Sequence, residues 1–219
     1  MEKKNFFESI YENADHENLA AIPWATLAPN VYLEKHLSQH DVVSGKKALV
    51  IGCGLGDDAL ILEKHGYEVE AIDISPSAIA LAKKRHPESK VDFHVGDIYD
   101  MPESSIGKYD FVYEGLTIQS LPPSDREKLV GIIVSLVTKG GELLVYANTQ
   151  NDEDSYGGPP WPLYDDEFKL FENEGLEKVH EEKEDINKPI APYHCCVLYR
   201  KYNTKCQSKK SSSSYWLVY

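Results

Sequence analysis

From Lys47 to about Ala147, short apolar runs rich in β-branched residues alternate with stretches whose apolar positions recur at helical spacing. The strand candidates are 48–51, 68–73, 91–95, 109–113 and 142–147. Several are nearly continuous in apolar residues, the pattern of strands covered on both faces. Helices are predicted at 57–65, 76–86 and 124–137. Ser75-Pro76 offers an N-cap followed by proline in the first turn. Ser124 with Glu127 three residues on reads as a capping box, and Lys139-Gly140-Gly141 as a left-handed helix stop. This alternation predicts an α/β fold, a doubly wound Rossmann-like sheet with helices on both faces.

The flanks read differently. Residues 5–19 and 30–38 have amphipathic helical patterns, so 1–40 is expected to form a helical cap over the ligand site, with 41–202 as the core. A polar, Pro- and Gly-rich stretch, 148–162, is too long for a plain connector and reads as a lid. A helix at 165–173 and two extended runs, 176–184 and 193–202, follow; the runs are close enough to pair antiparallel at a sheet edge. The Lys/Ser-rich segment 203–219 is expected to be a mobile tail without function.

Composition narrows the function. At 219 residues the chain suits one well-buried core, with ordinary apolar (42%) and charged (27%) shares. It carries no apolar run long enough for a bilayer, and Met1 to Glu8 lacks the apolar core of a secretory signal; no membrane partner and a cytoplasmic location are expected. A net charge of −13 repels polyphosphate, so no nucleic acid is expected as partner. Lys83-Lys84-Arg85 closes a predicted helix and reads as a complement to its dipole. Cys53, Cys195, Cys196 and Cys206 form no C-x-x-C pair and have no histidine at zinc spacing, so no metal is expected. Cys195 and Cys196 should point to opposite faces of a strand. The pattern sets no oligomeric state.

The sharpest chemistry lies where the first strand runs into Gly52-Cys53-Gly54-Leu55-Gly56-Asp57-Asp58-Ala59 and out into a helix. Glycines let the backbone turn sharply and let a ligand approach without meeting a Cβ. A relaxed dinucleotide pattern fits here too, but Asp57 and Asp58 in the first helical turn would oppose a diphosphate. They suit the cationic sulfonium and ammonium of S-adenosyl-L-methionine, or serve as dipole-complementing acids. Asp73, followed by Ile74, ends the second strand about 20 residues on, where a carboxylate grips ribose hydroxyls. Asp97 follows the third strand, placed for an adenine amino group, with Ile98 packing on the ring. The candidate cofactor residues are therefore Gly52, Cys53, Gly54, Gly56, Asp73, Ile74, Asp97 and Ile98.

Gly52-Cys53-Gly54-Leu55-Gly56, Asp73, Gly96-Asp97-Ile98 and Gly140-Gly141-Glu142-Leu143-Leu144 resemble the successive motifs of class I S-adenosylmethionine-dependent methyltransferases, over roughly residues 20–202. The resemblance implies a seven-stranded sheet of order 3-2-1-4-5-7-6, the seventh strand antiparallel. Val50 stands where the family usually has an acid, two residues before the first glycine. The segments around Ile22-Pro23-Trp24 and Gly157-Gly158-Pro159-Pro160-Trp161-Pro162 resemble part of the thiopurine S-methyltransferase-like group. That resemblance implies that Trp24 closes over the methionine end of the cofactor and that Trp161 belongs to an acceptor lid.

At the end of the fourth strand, Tyr113-Glu114-Gly115-Leu116 replaces the N/D-P-P-Y/F run of enzymes acting on nucleic-acid amino groups. A small-molecule methyl acceptor is expected instead. Glu114 and Tyr113 are the catalytic candidates, Glu114 as base, orienting acid or cofactor ligand, with Thr117, Gln119 and Trp161 as acceptor contacts. His94 and His194 read as structural, His194 near the distal sheet edge. Three other readings remain: aminopropyl transfer, with Asp152, Glu153 and Asp154 gripping a polyamine; a non-catalytic binding module, hinted at by Val50; and a nicotinamide oxidoreductase, disfavoured by Asp57-Asp58.

Overall fold

The computed structural model describes residues 2–15, 17–150, 158–186 and 192–202. The core strands are β1 (Lys47–Ile51), β2 (Glu68–Asp73), β3 (Asp92–Val95), β4 (Tyr109–Gly115) and β5 (Val137–Gln150). Past them come a two-residue β6 (Leu163–Tyr164), β7 (Glu177–Asp185) and β8 (Tyr193–Arg200). The sheet runs β3-β2-β1-β4-β5-β8-β7, with β6 paired alongside the end of β5. Strands β1 to β5 are parallel where they pair, and β8 is antiparallel to both neighbours. With β6 set aside, this is the seven-strand order the motifs implied.

The helices are α1 (Glu2–Glu12), α2 (Val31–Ser38), α3 (Asp57–Lys64), α4 (Pro76–Arg85), α5 (Arg126–Leu136) and α6 (Lys169–Asn173). Alternating strand residues divide the core in two. Leu49, Ile51, Val112, Leu143 and Val145 pack with Leu129, Ile133 and Leu136 of α5. Ala48, Val50, Phe111, Tyr113 and Leu144 pack with Leu33 and Leu37 of α2 and Ala59 and Leu62 of α3. This two-sided covering is why β1 and β4 read as unbroken apolar runs. Cys195 joins the first cluster and Cys196 the second, the opposite faces expected of neighbours in a strand.

Local chemistry sets the helix starts. The Asn30 side chain accepts from the amides of Tyr32 and Leu33, starting α2. Ser75 Oγ accepts from the Ala78 amide, with Pro76 at the first position of α4. The predicted capping box of α5 is absent: Asp125 occupies the cap position and makes no side-chain capping bond, and Ser124 donates to the Asp125 carboxylate instead. A 3₁₀ turn at Pro123–Asp125 displaces the helix start past Ser124. Lys139-Gly140-Gly141 lies inside β5, where the pairing with β4 slips, rather than ending a helix; the left-handed Gly140 (φ 83°) absorbs the irregularity. The first helix stops at Glu12, short of the predicted residue 19. His194 sits in β8 opposite Asn148, inside the sheet, because β7 and not β8 forms the edge. No helix among the described residues is long and apolar enough to cross a membrane. The 203–219 tail and Cys206 lie outside the described residues.

Candidate functional site

The carboxyl ends of β1, β2 and β4 meet at the glycine loop. Asp73, 8% exposed, holds the loop: one carboxylate oxygen accepts from the Gly54 amide and the other from the Ser75 amide, both at 2.9 Å. Burial raises its pKa against the pull of these backbone bonds. The Ile74 amide also lies against the carboxylate, so part of its acceptor capacity remains. The Cys53 amide donates to the Ile72 carbonyl, tying the loop to β2. Thr117 donates its hydroxyl to the carbonyl of Ile51 (3.1 Å), in the space that a Cβ on Gly52 would need. These contacts anchor the loop without an acid at position 50, and Val50 packs in the core at 1% exposure.

The bare face of Gly54 meets Tyr11. A Cβ there would lie 2.8 Å from the tyrosine hydroxyl, and φ is +50°. Trp24 donates its indole N–H to that hydroxyl at 2.7 Å. Trp24 thus reaches the loop through Tyr11, packed with Ile22, Leu55, Ala78 and Leu81 over the Asp73 side of the crevice. Burial and the nearby Asp73 charge keep the Tyr11 phenol protonated. Glu8, one turn earlier on α1, accepts from the hydroxyls of Ser75 (2.6 Å) and Ser77 (2.7 Å) and from the Ser77 amide. It docks the N-terminal helix on the turn that follows Asp73. Nothing in the sequence points to Glu8 or Tyr11 at this place; a period of 3.6 shows that α1 needs a partner, not which one.

Other expected residues fall out unevenly. Gly56 (φ +89°) starts α3, but Phe93 and His86 fill its bare face, so packing rather than ligand approach demands glycine there. The Cys53 thiol is buried and its pKa pushed well up by desolvation, which leaves it unreactive. Asp97 accepts from the Tyr99 amide at 3.0 Å, half-buried after β3. Ile98 is 7% exposed and belongs to the core. Ile74, between Asp73 and Ser75, is half-buried.

The two neighbouring acids separate in role. Asp57 is bound by Arg85, at 2.7 and 2.9 Å, and Arg85 also donates to the Leu55 carbonyl. Arg85 is therefore a loop tie rather than a dipole complement, and Asp57 carries no free charge against a diphosphate. Asp58 accepts from the Asn30 amide at 2.7 Å and from the Tyr113 hydroxyl, and burial raises its pKa to about 6. Its isolation from cations was not legible, because the Arg85–Asp57 pairing spans 28 residues.

Glu114 is fully buried. One oxygen accepts from the Ile118 amide at 2.7 Å and the carboxylate also holds the Thr117 amide; Oε2 is inaccessible and without a partner. Desolvation raises its pKa to about 7. Tyr113 is 2% exposed and held neutral by burial, its hydroxyl on Asp58. Gln119 and Trp161 do meet: the Trp161 amide donates to the Gln119 carbonyl at 2.6 Å, and Gln119 Oε1 accepts from Asn148. His194 stacks edge-on against Tyr146, near this end of the sheet. Among the described residues no cluster of three or more His, Cys, Asp or Glu could hold a metal. Asp152, Glu153, Asp154 and Gly157 lie outside the described residues.

The chain is similar to known methyltransferases. Thiopurine S-methyltransferase from Equus caballus is 27% identical over 163 residues, covering 64% of this chain and 66% of that protein. The Pseudomonas aeruginosa (strain UCBPP-PA14) thiopurine S-methyltransferase is 25% identical over 173 residues, 72% of this chain and 78% of its own. Magnesium-protoporphyrin O-methyltransferase of Rhodobacter capsulatus is 40% identical over 75 residues, 33% of this chain. The chain spans only 32% of that relative's length, and 38% of ajmaline N-methyltransferase from Rauvolfia serpentina. The N-methyltransferase NodS from Bradyrhizobium japonicum WM9 shares the fold, with a TM-score of 0.69 at 18% identity, over 91% of this chain and 98% of that one. A family model described as thiopurine S-methyltransferase matches residues 18–197, and the chain belongs to that family.

Proposed function

We propose that this chain is a methyltransferase that binds S-adenosyl-L-methionine and passes its methyl group to a small-molecule acceptor, sulfur foremost. The supporting observation is Asp73: a buried carboxylate at the end of β2 that holds the Gly54 and Ser75 amides of the glycine loop and the following turn and retains acceptor capacity. The residues fit the ligand. A ribose hydroxyl fits the acceptor capacity Asp73 retains, Asp97 after β3 is our candidate for the adenine amino group, and we assign Trp24 and Tyr11 the cover of the crevice. A diphosphate finds no cradle, since the first turn of α3 carries the Arg85–Asp57 pair and the Asp58 carboxylate.

When bound, the cofactor supplies an electrophilic methyl group on a sulfonium. The chain's own residues orient the partners, exclude water and hold the β4–α5 turn. In-line displacement depends on alignment, and an ionised thiol needs no base. Glu114 holds the amides of Thr117 and Ile118 and presents no oxygen to solvent, so we assign it the positioning of this turn rather than proton removal. Tyr113, neutral and bound to Asp58, is a donor and not a base. A net charge of −13 and the Tyr113-Glu114-Gly115-Leu116 run favour a small acceptor over nucleic acid, and the soluble-type fold suits the cytoplasm. No observation favours aminopropyl transfer, whose acids lie outside the described residues. The loop's anchoring by Thr117 and Asp73 removes the reason to read Val50 as the mark of a non-catalytic module.

The test measures S-adenosylhomocysteine release with thiophenol, phenol, amine and carboxylate panels, alongside calorimetry with S-adenosylhomocysteine and NAD. Methyl transfer to at least one acceptor is expected. Binding of NAD alone would end the proposal.

A further inference from the structure

Arg126, the first residue of α5, is 1% exposed and turned away from solvent. Its guanidinium donates to the Glu167 carboxylate, to the Trp161 carbonyl and, at 3.4 Å, to the Pro162 carbonyl. Glu167 in turn accepts from the Tyr164 amide at 2.8 Å. Gln150 Nε2 donates to the Pro162 carbonyl from the end of β5 (3.2 Å), and the Trp161 amide donates to Gln119. Residues 158–162 are thus held from β5, from the β4–α5 turn and from α5. Arg126 reaches both flanks of this segment: the two carbonyls before β6, and Tyr164 through Glu167. Only its Nε lacks a partner. A buried guanidinium whose fork is engaged by a carboxylate and two carbonyls has its charge neutralised and its geometry fixed.

We propose that Arg126 is a positioning residue: it pins the Trp161 wall against the β4–α5 turn and so sets acceptor affinity, without touching the acceptor or the cofactor. This rests on the methyltransferase reading, with residues 158–162 as the acceptor wall. It separates two jobs in space. The cofactor depends on α1, the glycine loop and Asp73; the acceptor depends on the Arg126–Glu167 tie across the sheet.

The experiment uses the full chain with Arg126→Lys and Glu167→Gln. Glu167 is partly exposed, so its variant keeps the fold if Arg126→Lys does not. Three readouts are taken: S-adenosylhomocysteine affinity by calorimetry, steady-state kinetics with thiophenol and 4-mercaptobenzoate, and amide exchange of the peptide spanning 158–164. The expected result is an S-adenosylhomocysteine Kd within twofold of wild type and a KM raised about tenfold for both thiols. The kcat should change less than threefold, and exchange should be at least tenfold faster in 158–164 alone. An unchanged KM with unchanged exchange overturns the proposal. So does a loss confined to 4-mercaptobenzoate, which would make Arg126 an anion receptor, or a parallel loss of cofactor affinity. If wild type methylates neither thiol, the functional reading fails, while the exchange readout still decides whether Arg126 and Glu167 pin the segment.

Discussion

At the scale of single residues, two buried carboxylates with the same kind of pKa shift carry different tasks. Asp73 grips a loop and keeps acceptor capacity toward the crevice; Glu114 spends itself on backbone amides beneath the β4–α5 turn. Asp73→Ala should therefore weaken S-adenosylhomocysteine binding about 100-fold, near 3 kcal/mol, the upper worth of one hydrogen bond to a charged group. Asp73→Asn, which keeps one acceptor oxygen, should recover part of it. Calorimetry on folded variants decides, and a Kd within threefold of wild type for the alanine variant would remove the aspartate from the site. Glu114→Gln keeps the oxygen that holds Ile118, so kcat should stay within about fivefold; loss of a true general base costs about 10²–10⁴. Glu114→Ala should lower stability by about 1 kcal/mol through the lost bonds to the Thr117 and Ile118 amides. A hundredfold fall in kcat for the glutamine variant would restore the base. Asp73 was legible because its place follows from chain order, a strand's end about 20 residues past a glycine loop. The Glu114 task was not, since a bond from residue 114 to the amide of 118 depends on how the turn folds back.

At the scale of elements, the parallel strands announced themselves because both faces are covered, and their bounds fell within two residues except at β5. There the chain hides a long strand behind Lys139-Gly140-Gly141, whose glycines read locally as a helix stop and become an irregularity only through pairing with β4. Helix α1 shows the same limit. Its apolar face was visible, but its docking depends on Glu8 meeting Ser75 and Ser77, 67 and 69 residues away. The carboxylate meets the start of α4, where the exposed amides and the macrodipole favour an anion. Glu8→Ala should release α1 from this turn at a cost of about 1–2 kcal/mol. Because Tyr11 rides on the same helix, S-adenosylhomocysteine should bind about tenfold more weakly. Amide exchange should quicken in residues 6–12 and not in β1 or β4. Wild-type affinity together with quickened exchange would show that α1 is a bystander to the cofactor.

At the scale of the whole molecule, the sheet buries acids and a histidine whose effects on stability run in opposite directions with pH. Glu114, raised from 4.5 to about 7, and Asp58, raised from 3.8 to about 6, hold more protons folded than unfolded between those values. Their contribution is full below the unfolded pKa and is lost as pH climbs through the folded one. For Glu114 alone the loss is about 3 kcal/mol. His36 opposes them. It is lowered to about 4 by burial on the face of α2 that stacks on Phe111, with His40, His65 and Arg200 adding to the shift and Glu142 resisting it. The folded state therefore binds fewer protons there, and stability rises with pH from about 4 to 6.5. Between about pH 4.5 and 6 the two acids outweigh His36; from 6 to 6.5 Glu114 and His36 offset each other, and above 6.5 the Glu114 trend remains. Wild type should lose stability from pH 4.5 to about 6, hold nearly level to 6.5 and decline again toward 7.5. Glu114→Gln removes its downward trend and leaves Asp58 and His36 to offset each other, so the variant should hold nearly level and overtake wild type as pH increases. Urea melts at half-unit pH steps measure this directly. Parallel curves for the two proteins would mean that Glu114 titrates as it does in the unfolded chain, and that its burial beneath the β4–α5 turn is relieved in solution.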